Sequence, residues 1–495
     1  MTGPTIGRAA CVGGGVIGGG WIARFLLAGI DVDVFDPHPD AQRIVGEVVA
    51  NAERAYAMLT HAPLPPQGRL AFHASLAEAV AHADWIQESV PERLDLKRGI
   101  LAEIDAAARP GAMIGSSTSG LLPTDLQGGM AHPERFFVAH PYNPVYLLPL
   151  VELVGGRQTD RAVITHAQAA LRTIGMKGVV IDREIEAFVG DRLLEALWRE
   201  ALWLVKDDVC DVETLDDVIR YSFGLRWAQM GLFQTYRIAG GEAGMRHFLR
   251  QFGPCLAWPW TKLTDVPRMD DALVDKIAAQ SDAQADGLSI RELERLRDEN
   301  LVGILQSLKT GDGGKGWGAG RLLAEFENAL QDRAVPAPDD GGPLKLLTAT
   351  VSPGWIDHNG HMTEYRYLQL FGEATDAFLR MIGVDSAYVA GGSSYYTVES
   401  HLRHLAQARA GQRLEVVTGL VGHDAKRLHL AHAVTDEAGT TLATAEHMLL
   451  HVTGERAAPA PLAIAAALDR EAERAARLPR PDFIGRAVGM PPAGP

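Results

Sequence analysis

His140 lies in VAHPYNP, and Glu152 follows twelve residues later in LVELV. A neutral imidazole, with an ordinary pKa of about 6.5, is suited to taking a proton from a hydroxyl. A carboxylate on its second ring nitrogen would fix the tautomer and stabilise the imidazolium that forms. Spacing alone serves a surface histidine and a structural glutamate equally well. A second stretch, WIDHNGHM at residues 355–362, packs Asp357, His358, Asn359, Gly360 and His361 into one loop before helix-like sequence. Such a loop could present Asp357 to a carbonyl compound whose oxygen meets backbone N–H groups at the helix start. It could also hold a metal through Asp357, His358 and His361, or be a polar turn without chemistry. On spacing alone the plain turn holds a narrow lead.

A third stretch concerns phosphate. Gly13, Gly15 and Gly18, with Val16 and Ile17 between the last two, form G-x-G-x-x-G after the apolar run 9–12 and open a helical pattern through Trp21, Ile22, Phe25 and Leu26. Glycines there permit a tight turn, backbone approach to a pyrophosphate and close helix packing, while the helix N-terminus attracts anions. Alone the motif is weak, and a glycine turn that binds no dinucleotide is the competing reading. Asp36 ends the next apolar run eighteen positions after Gly18, where a carboxylate accepts hydrogen bonds from an adenosine ribose. Pro37 and His38 follow, with no adjacent Arg for a 2′-phosphate, which favours NAD over NADP.

These residues need scaffolds. Apolar runs at 83–90, 112–117 and 135–142 extend the strand–helix–strand opening into a doubly wound parallel sheet, an α/β Rossmann domain over residues 1–183. Long amphipathic runs over 184–330 predict an all-α domain, and the Pro-, Gly- and Asp-rich stretch 331–343 reads as a linker. One helix from Glu364 to Ile382 followed by short strands predicts an α+β domain at 344–454, with a tail at 455–495. The formal net charge of −15 argues against a nucleic-acid or anionic-membrane surface and for small-molecule partners. Three scattered cysteines, Cys11, Cys210 and Cys255, form no disulfide or zinc pattern, which fits a cytoplasmic protein. No uncharged apolar run reaches the length of a membrane span.

The order G-x-G-x-x-G, SSTSGL, H-x-Y-N-P, LVELV and F-x-x-D-R-L-L over residues 9 to about 330 resembles the 3-hydroxyacyl-CoA dehydrogenase family. The resemblance implies His140 as the base, Glu152 as its orienting partner and Ser119, in preference to Ser117, as a hydrogen-bond donor to the substrate oxygen. Where that family has Asn in V-N-R-L, this chain has Asp191, unhelpful beside a polyanionic CoA ester and useful beside a cation. A helix carboxylate paired with Arg192 or a neighbour accounts for it equally well. Eleven aromatic residues, five of the nine tryptophans among them, fall between Trp198 and Trp260. Most are expected in helix packing, but Tyr142, Tyr221, Phe223 and Trp227 are candidates for a cation cage. Stretches such as GLRWAQMGLFQTY and PWTKL resemble the L-carnitine dehydrogenase branch of the family, which implies oxidation of L-carnitine by NAD.

The run VSPGWIDHNGHMTEYRY before a long helix and antiparallel strands resembles the hotdog thioesterases of the 4-hydroxybenzoyl-CoA and acyl-CoA type. Their pattern implies Asp357 as nucleophile or base, with Asn359 and His361 at the loop, Glu399 as a second candidate and no metal. Chains of this fused type imply hydrolysis of a CoA thioester, betainyl-CoA, in a homo-oligomer. The alternative is a dehydrogenase of another 3-hydroxy acid or acyl-CoA whose hotdog module only dimerises or binds acyl-CoA.

Overall fold

The computed structural model describes residues 6–60, 62, 64–239, 248, 249, 261, 270–284, 287–312, 314–331, 342–454 and 456–485. The expected linker, apart from its ends, and most of the aromatic-rich stretch after Ala239 lie outside the described residues. The chain divides into two compact units, residues 1–53 with 66–324 and residues 54–65 with 325–495.

In the first unit eight strands form one sheet: β1 (Arg8–Val12), β2 (Asp31–Phe35), β3 (Leu70–Phe72), β4 (Trp85–Glu88), β5 (Met113–Ser116), β6 (Phe136–Pro141), β7 (Leu150–Val154) and β8 (Lys177–Ile181). Their spatial order is β3-β2-β1-β4-β5-β6-β7-β8. Strands β1 to β6 run parallel, as their continuous apolar runs require when helices cover both faces. The chain then reverses: β7 pairs antiparallel with β6, and β8 lies parallel to β7. Val12, Ile86, Ile114, Phe136 and Val138 share one buried core.

The helix Val16–Leu27 buries Trp21, Ile22, Phe25 and Leu26, the face its periodicity predicts. Arg24 on the same helix is also buried, donating to the carbonyls of Ile174, Tyr146 and Gly175. Gly13 has φ 97°, and a Cβ at Gly18 would lie 1.9 Å from Gly13 O, so the helix rests directly on the turn. Beyond β8 the described elements are helical, including Gly190–Lys206, Gly224–Ala239 and Ile290–Lys309. The Tyr146 hydroxyl, 2.7 Å from Asp298 Oδ2, ties the last of these to the segment between β6 and β7.

In the second unit a long helix is laid on an antiparallel sheet. Its strands are β9 (Leu344–Thr350), β10 (Ser393–His404), β11 (Arg413–His423), β12 (Arg427–Asp436) and β13 (Thr441–Thr453), in the order β10-β13-β12-β11-β9, with β14 (Arg456–Ala457) beside β13. The helix Glu364–Met381 buries Tyr367, Leu370, Phe371 and Ala374 against Val416, Val434 and Ala445. The packed unit runs beyond residue 454: the helix Leu462–Ala475 places Ile464 and Leu468 in a core with Phe378 and Leu430. Those two residues are one helical turn apart, a short signal inside an Ala- and Arg-rich run. Among the described residues no helix is long and apolar enough to cross a membrane.

Gly18→Ala must push the first helix off the glycine turn. Overpacking of this kind costs about 1–3 kcal/mol. The expected outcome is a lower urea midpoint and NADH affinity reduced at least about tenfold, read by fluorescence titration.

Candidate active sites

The reversal at β7 makes the first site. Register places His140 directly opposite Glu152, and opposed residues of an antiparallel pair share a face. That is how a spacing of twelve closes into contact. His140 Nδ1 lies 2.9 Å from Glu152 Oε2, and the two residues are only 4% and 3% exposed. Glu152 takes three further donors: the Tyr142 hydroxyl on Oε2 at 3.0 Å, and the N–H groups of Val189 and Gly190 on Oε1 at 3.1 and 3.0 Å. Those amides are aimed by Ala187 and Phe188, at φ 60° and 47°, left-handed conformations that cost about 1–3 kcal/mol each. The ring of Phe188, fully buried, lies 5.7 Å from that of His140.

Burial alone would raise the Glu152 carboxyl, but His140, the Gly190 N–H and the Tyr142 hydroxyl outweigh it and hold the group below its ordinary value. An ionised Glu152 only accepts, so Nδ1 carries the proton and Nε2 presents its lone pair. Asp191 Oδ2 stands 3.8 Å from Nε2, beyond hydrogen-bond reach, so that lone pair stays free for a substrate. Burial pushes the Asp191 carboxyl up, against the pull of His140 and with the repulsion of Glu152, Glu195 and Glu92.

Around the glycine turn the residues fit a dinucleotide. A Cβ at Gly15 would meet nothing within 4 Å, and the helix that follows has neither a side-chain cap nor an acidic residue in its first turn. Its first N–H groups are therefore uncapped by any side chain, beside Val16 at 60% exposure and the half-buried Ile17. Asp36 is fixed at the end of β2 by the N–H groups of Gly14 and His38, at 2.6 and 2.7 Å, with lone pairs left for ribose hydroxyls.

Of the two serines, Ser117 is engaged: its hydroxyl accepts from Gln87 Nε2 at 2.7 Å and pairs with Ser89 Oγ at 2.9 Å. Ser119 is exposed, held through its N–H by Glu92 Oε1 at 3.0 Å, and its hydroxyl has no partner among the described residues. Glu92 also accepts from the Gly120 N–H and the Thr118 hydroxyl, and Lys97 lies between it and the buried Glu88. Sequence reasoning overlooked Glu88, Glu92 and Lys97. Glu88 ends β4, Glu92 follows it and Lys97 lies on the next helix, Leu94–Ala107, and this grouping at the carboxyl end of a parallel strand was the available signal.

The aromatic candidates separate. Tyr142 is at the site, but its hydroxyl is turned inward to Glu152. Tyr221 is 78% exposed, Phe223 and Trp227 meet at a tilt of 51° with ring centroids 4.7 Å apart, and no described contact joins these three to His140 or Asp191.

The second site is the loop of the second unit. Trp355 and Met362 are buried, the Asp357 N–H donates to His361 O, and Gly360 takes φ 78° at the turn between. Asp357 Oδ1 accepts the N–H groups of Asn359 at 2.8 Å and His361 at 3.4 Å, and these hold its carboxyl below the usual range, Asn359 foremost. The side chain of Thr363 turns away to Trp355 O, so no side chain caps the helix Glu364–Met381. Ionised carboxylate and uncapped helix N-terminus thus neighbour each other in sequence and structure. His358 and Asn359 are exposed and His361 half-buried; Glu399 is exposed on edge strand β10, without a described bond to the loop. Among the described residues no group of three His, Cys, Asp or Glu side chains is arranged to hold a metal ion.

Comparison with known proteins agrees with this division. Family models for the 3-hydroxyacyl-CoA dehydrogenase NAD binding domain, its C-terminal domain and the thioesterase-like superfamily match residues 8–185, 188–270 and 351–468. A solved structure of 5-formyl-3-hydroxy-2-methylpyridine 4-carboxylic acid 5-dehydrogenase, an NAD-dependent dismutase, is 26% identical with a TM-score of 0.52, covering 62% of this chain and 99% of that one. An L-carnitine dehydrogenase of Pseudomonas putida is 50% identical, covering 61% of this chain and 94% of its own length. An L-carnitine dehydrogenase/betainyl-CoA thioesterase of Rhizobium meliloti is 67% identical over 98% of this chain and 99% of its own. With both sites inside that end-to-end match, the chain belongs to the family of fused L-carnitine dehydrogenases and betainyl-CoA thioesterases.

Proposed function

We propose that the first unit oxidises L-carnitine to 3-dehydrocarnitine with NAD and that the second hydrolyses betainyl-CoA to glycine betaine and CoA. The observation that carries the first assignment is the carboxylate of Asp191 beside His140 Nε2. In L-carnitine the trimethylammonium nitrogen is bonded to the carbon next to the one bearing the hydroxyl. A hydroxyl placed on Nε2 therefore brings the cation within a few ångströms of Asp191, with Glu92, Glu152 and Glu195 adding to the negative field. The same field opposes the phosphates of a CoA ester.

In this reading Nε2 takes the hydroxyl proton, Glu152 steadies the imidazolium through Nδ1, and Ser119 donates to the substrate oxygen. Gly13, Gly15, Val16, Ile17, Gly18 and Asp36 would hold NAD, which would supply the hydride acceptor. Cation–π contact from Phe223, Trp227 or Tyr221 belongs to the same proposal.

At the second site Asp357 either attacks the thioester carbonyl, expelling the CoA thiolate and leaving a mixed anhydride that water cleaves, or takes a proton from a water that attacks the carbonyl as the CoA thiolate leaves. The N–H groups opening the helix Glu364–Met381 receive the oxyanion, with Asn359 and His361 shaping the loop and Glu399 as the second carboxylate. A homo-oligomer, the dimer foremost, suits the exposed Leu193, Leu194, Leu197 and Trp198 on one helix and Tyr396 and Val398 on β10. A cytoplasmic place suits the need for NAD and CoA thioesters.

The deciding assay offers purified protein NAD with either L-carnitine or 3-hydroxybutyryl-CoA and follows NADH. NADH from L-carnitine is expected; turnover of the CoA ester alone would overturn the assignment. His140→Ala should abolish NADH formation and leave betainyl-CoA hydrolysis intact, since the base and the thioester loop belong to different units. Asp191→Asn should raise KM for L-carnitine about tenfold or more, the loss of one charge interaction at short range, with NADH affinity kept. For Asp357→Asn, thioester hydrolysis should fall by about a hundredfold or more, and an undiminished rate would remove Asp357 from the mechanism.

A further inference from the structure

Gly190 opens the helix Gly190–Lys206, where its backbone does not use the left-handed freedom of glycine. A glycine at such a position costs conformational entropy that another residue would not. The reason for it lies across the site: a Cβ on Gly190 would sit 1.5 Å from the Tyr142 hydroxyl oxygen and 2.5 Å from its Cζ. The missing side chain is the slot through which that hydroxyl reaches Glu152.

With Tyr142 in place the Glu152 carboxylate is saturated, two donors on each oxygen, and Oε2 is shared between His140 Nδ1 and the Tyr142 hydroxyl. We infer that Tyr142 is a positioning residue that acts through Glu152: its hydrogen bond draws charge from the oxygen facing His140 and so keeps the imidazole a weaker, more readily neutral base. The inference rests on His140 being the base. Burial and the neighbouring Glu152 push the tyrosine hydroxyl far above its ordinary value, so it remains a donor wherever the enzyme titrates.

The groups facing this centre can be named element by element. His140 and Glu152 come from β6 and β7, Tyr142 from the segment after β6, and Asp191 and Glu195 from the helix Gly190–Lys206. Glu92 comes from the segment after β4. Two of them bear on the imidazole directly, Glu152 at Nδ1 and Asp191 near Nε2. Removing the Tyr142 hydroxyl frees Glu152 Oε2 to serve His140 alone, which favours the imidazolium. Since catalysis needs neutral Nε2, the rise of kcat/KM with pH should then occur at higher pH.

The test is Tyr142→Phe in the full chain, with L-carnitine and NAD across the acid and neutral range. A hydrogen bond to a charged group is worth roughly ten- to a hundredfold in an equilibrium; Glu152 passes on only part of that to the imidazole, and the expected drop in kcat/KM on the acid limb is about three- to tenfold. Activity should approach that of the unaltered enzyme on the alkaline side. NADH titration checks that the cofactor site is folded, and Asp191→Asn, which leaves Glu152 saturated, should not move the acid limb upward. A pH-independent loss for Tyr142→Phe, or a rise in KM for L-carnitine alone, would overturn the inference and make the hydroxyl a packing or substrate contact. His140→Gln separates the two levels: if it retains activity, the base assignment itself fails, whereas an inactive His140→Gln with an unshifted Tyr142→Phe defeats only the role of Tyr142.

Discussion

Everything at the first site depends on one buried carboxylate. Glu152 has almost no contact with water and would be costly to keep ionised without partners. Four donors from three segments supply them: the ring of His140 on β6, the Tyr142 hydroxyl beyond it, and two amides at the start of the helix Gly190–Lys206. The carboxylate therefore fixes the imidazole tautomer and also joins the sheet to the first long helix of the helical region. The left-handed Ala187 and Phe188 make sense in that light. Their strain is tolerated because the turn they form aims two N–H groups at a charge.

How much of this could be read from sequence varied with the range of the interaction. The glycine turn, the first helix and Asp36 form within thirty or so residues, and their local pattern carried them. The pairing of His140 with Glu152 did not follow from spacing, because a separation of twelve allows contact only if the chain reverses between two strands. Sequence offered no period for that reversal in an otherwise parallel sheet; family resemblance supplied the pair. By sequence Tyr142 is a candidate through its ring, whereas the structure turns its hydroxyl onto Glu152. That contact needs the empty slot at Gly190, which only the fold reveals. Likewise Ile464 and Leu468 occupied an Ala-rich run that looked like a tail, and their burial against Phe378 and Leu430 is a tertiary fact.

The second unit shows the opposite arrangement, a site built locally. Trp355 and Met362 anchor the two ends of the loop in the core, and Gly360 turns the chain between them. One oxygen of Asp357 is spent on the loop's own amides, which keeps the group ionised at the surface. A loop that organises itself in this way is legible from eight residues. What eight residues could not convey is that Thr363 leaves the adjoining helix uncapped, the condition for its N–H groups to serve a substrate oxygen.

Three carboxylates thus occupy three electrostatic states, and each state suits a different task. Glu152 has every lone-pair direction filled and so can orient without reacting. Asp357 is held by its own loop yet stays at the surface, which keeps it charged and within reach of a carbonyl. Asp191 is the least satisfied: burial raises it, the His140 ring lies beyond hydrogen-bond distance, and other carboxylates surround it. A folded protein tolerates such a group only at a cost, and a permanently charged ligand that cannot donate a hydrogen bond relieves that cost through charge alone. A quaternary ammonium is such a ligand, whereas a primary ammonium or an amide would compete for the Nε2 lone pair that the hydroxyl needs. In the proposed assignment the unsatisfied carboxylate and the free lone pair select together for a cation without N–H groups, adjacent to an oxidisable alcohol.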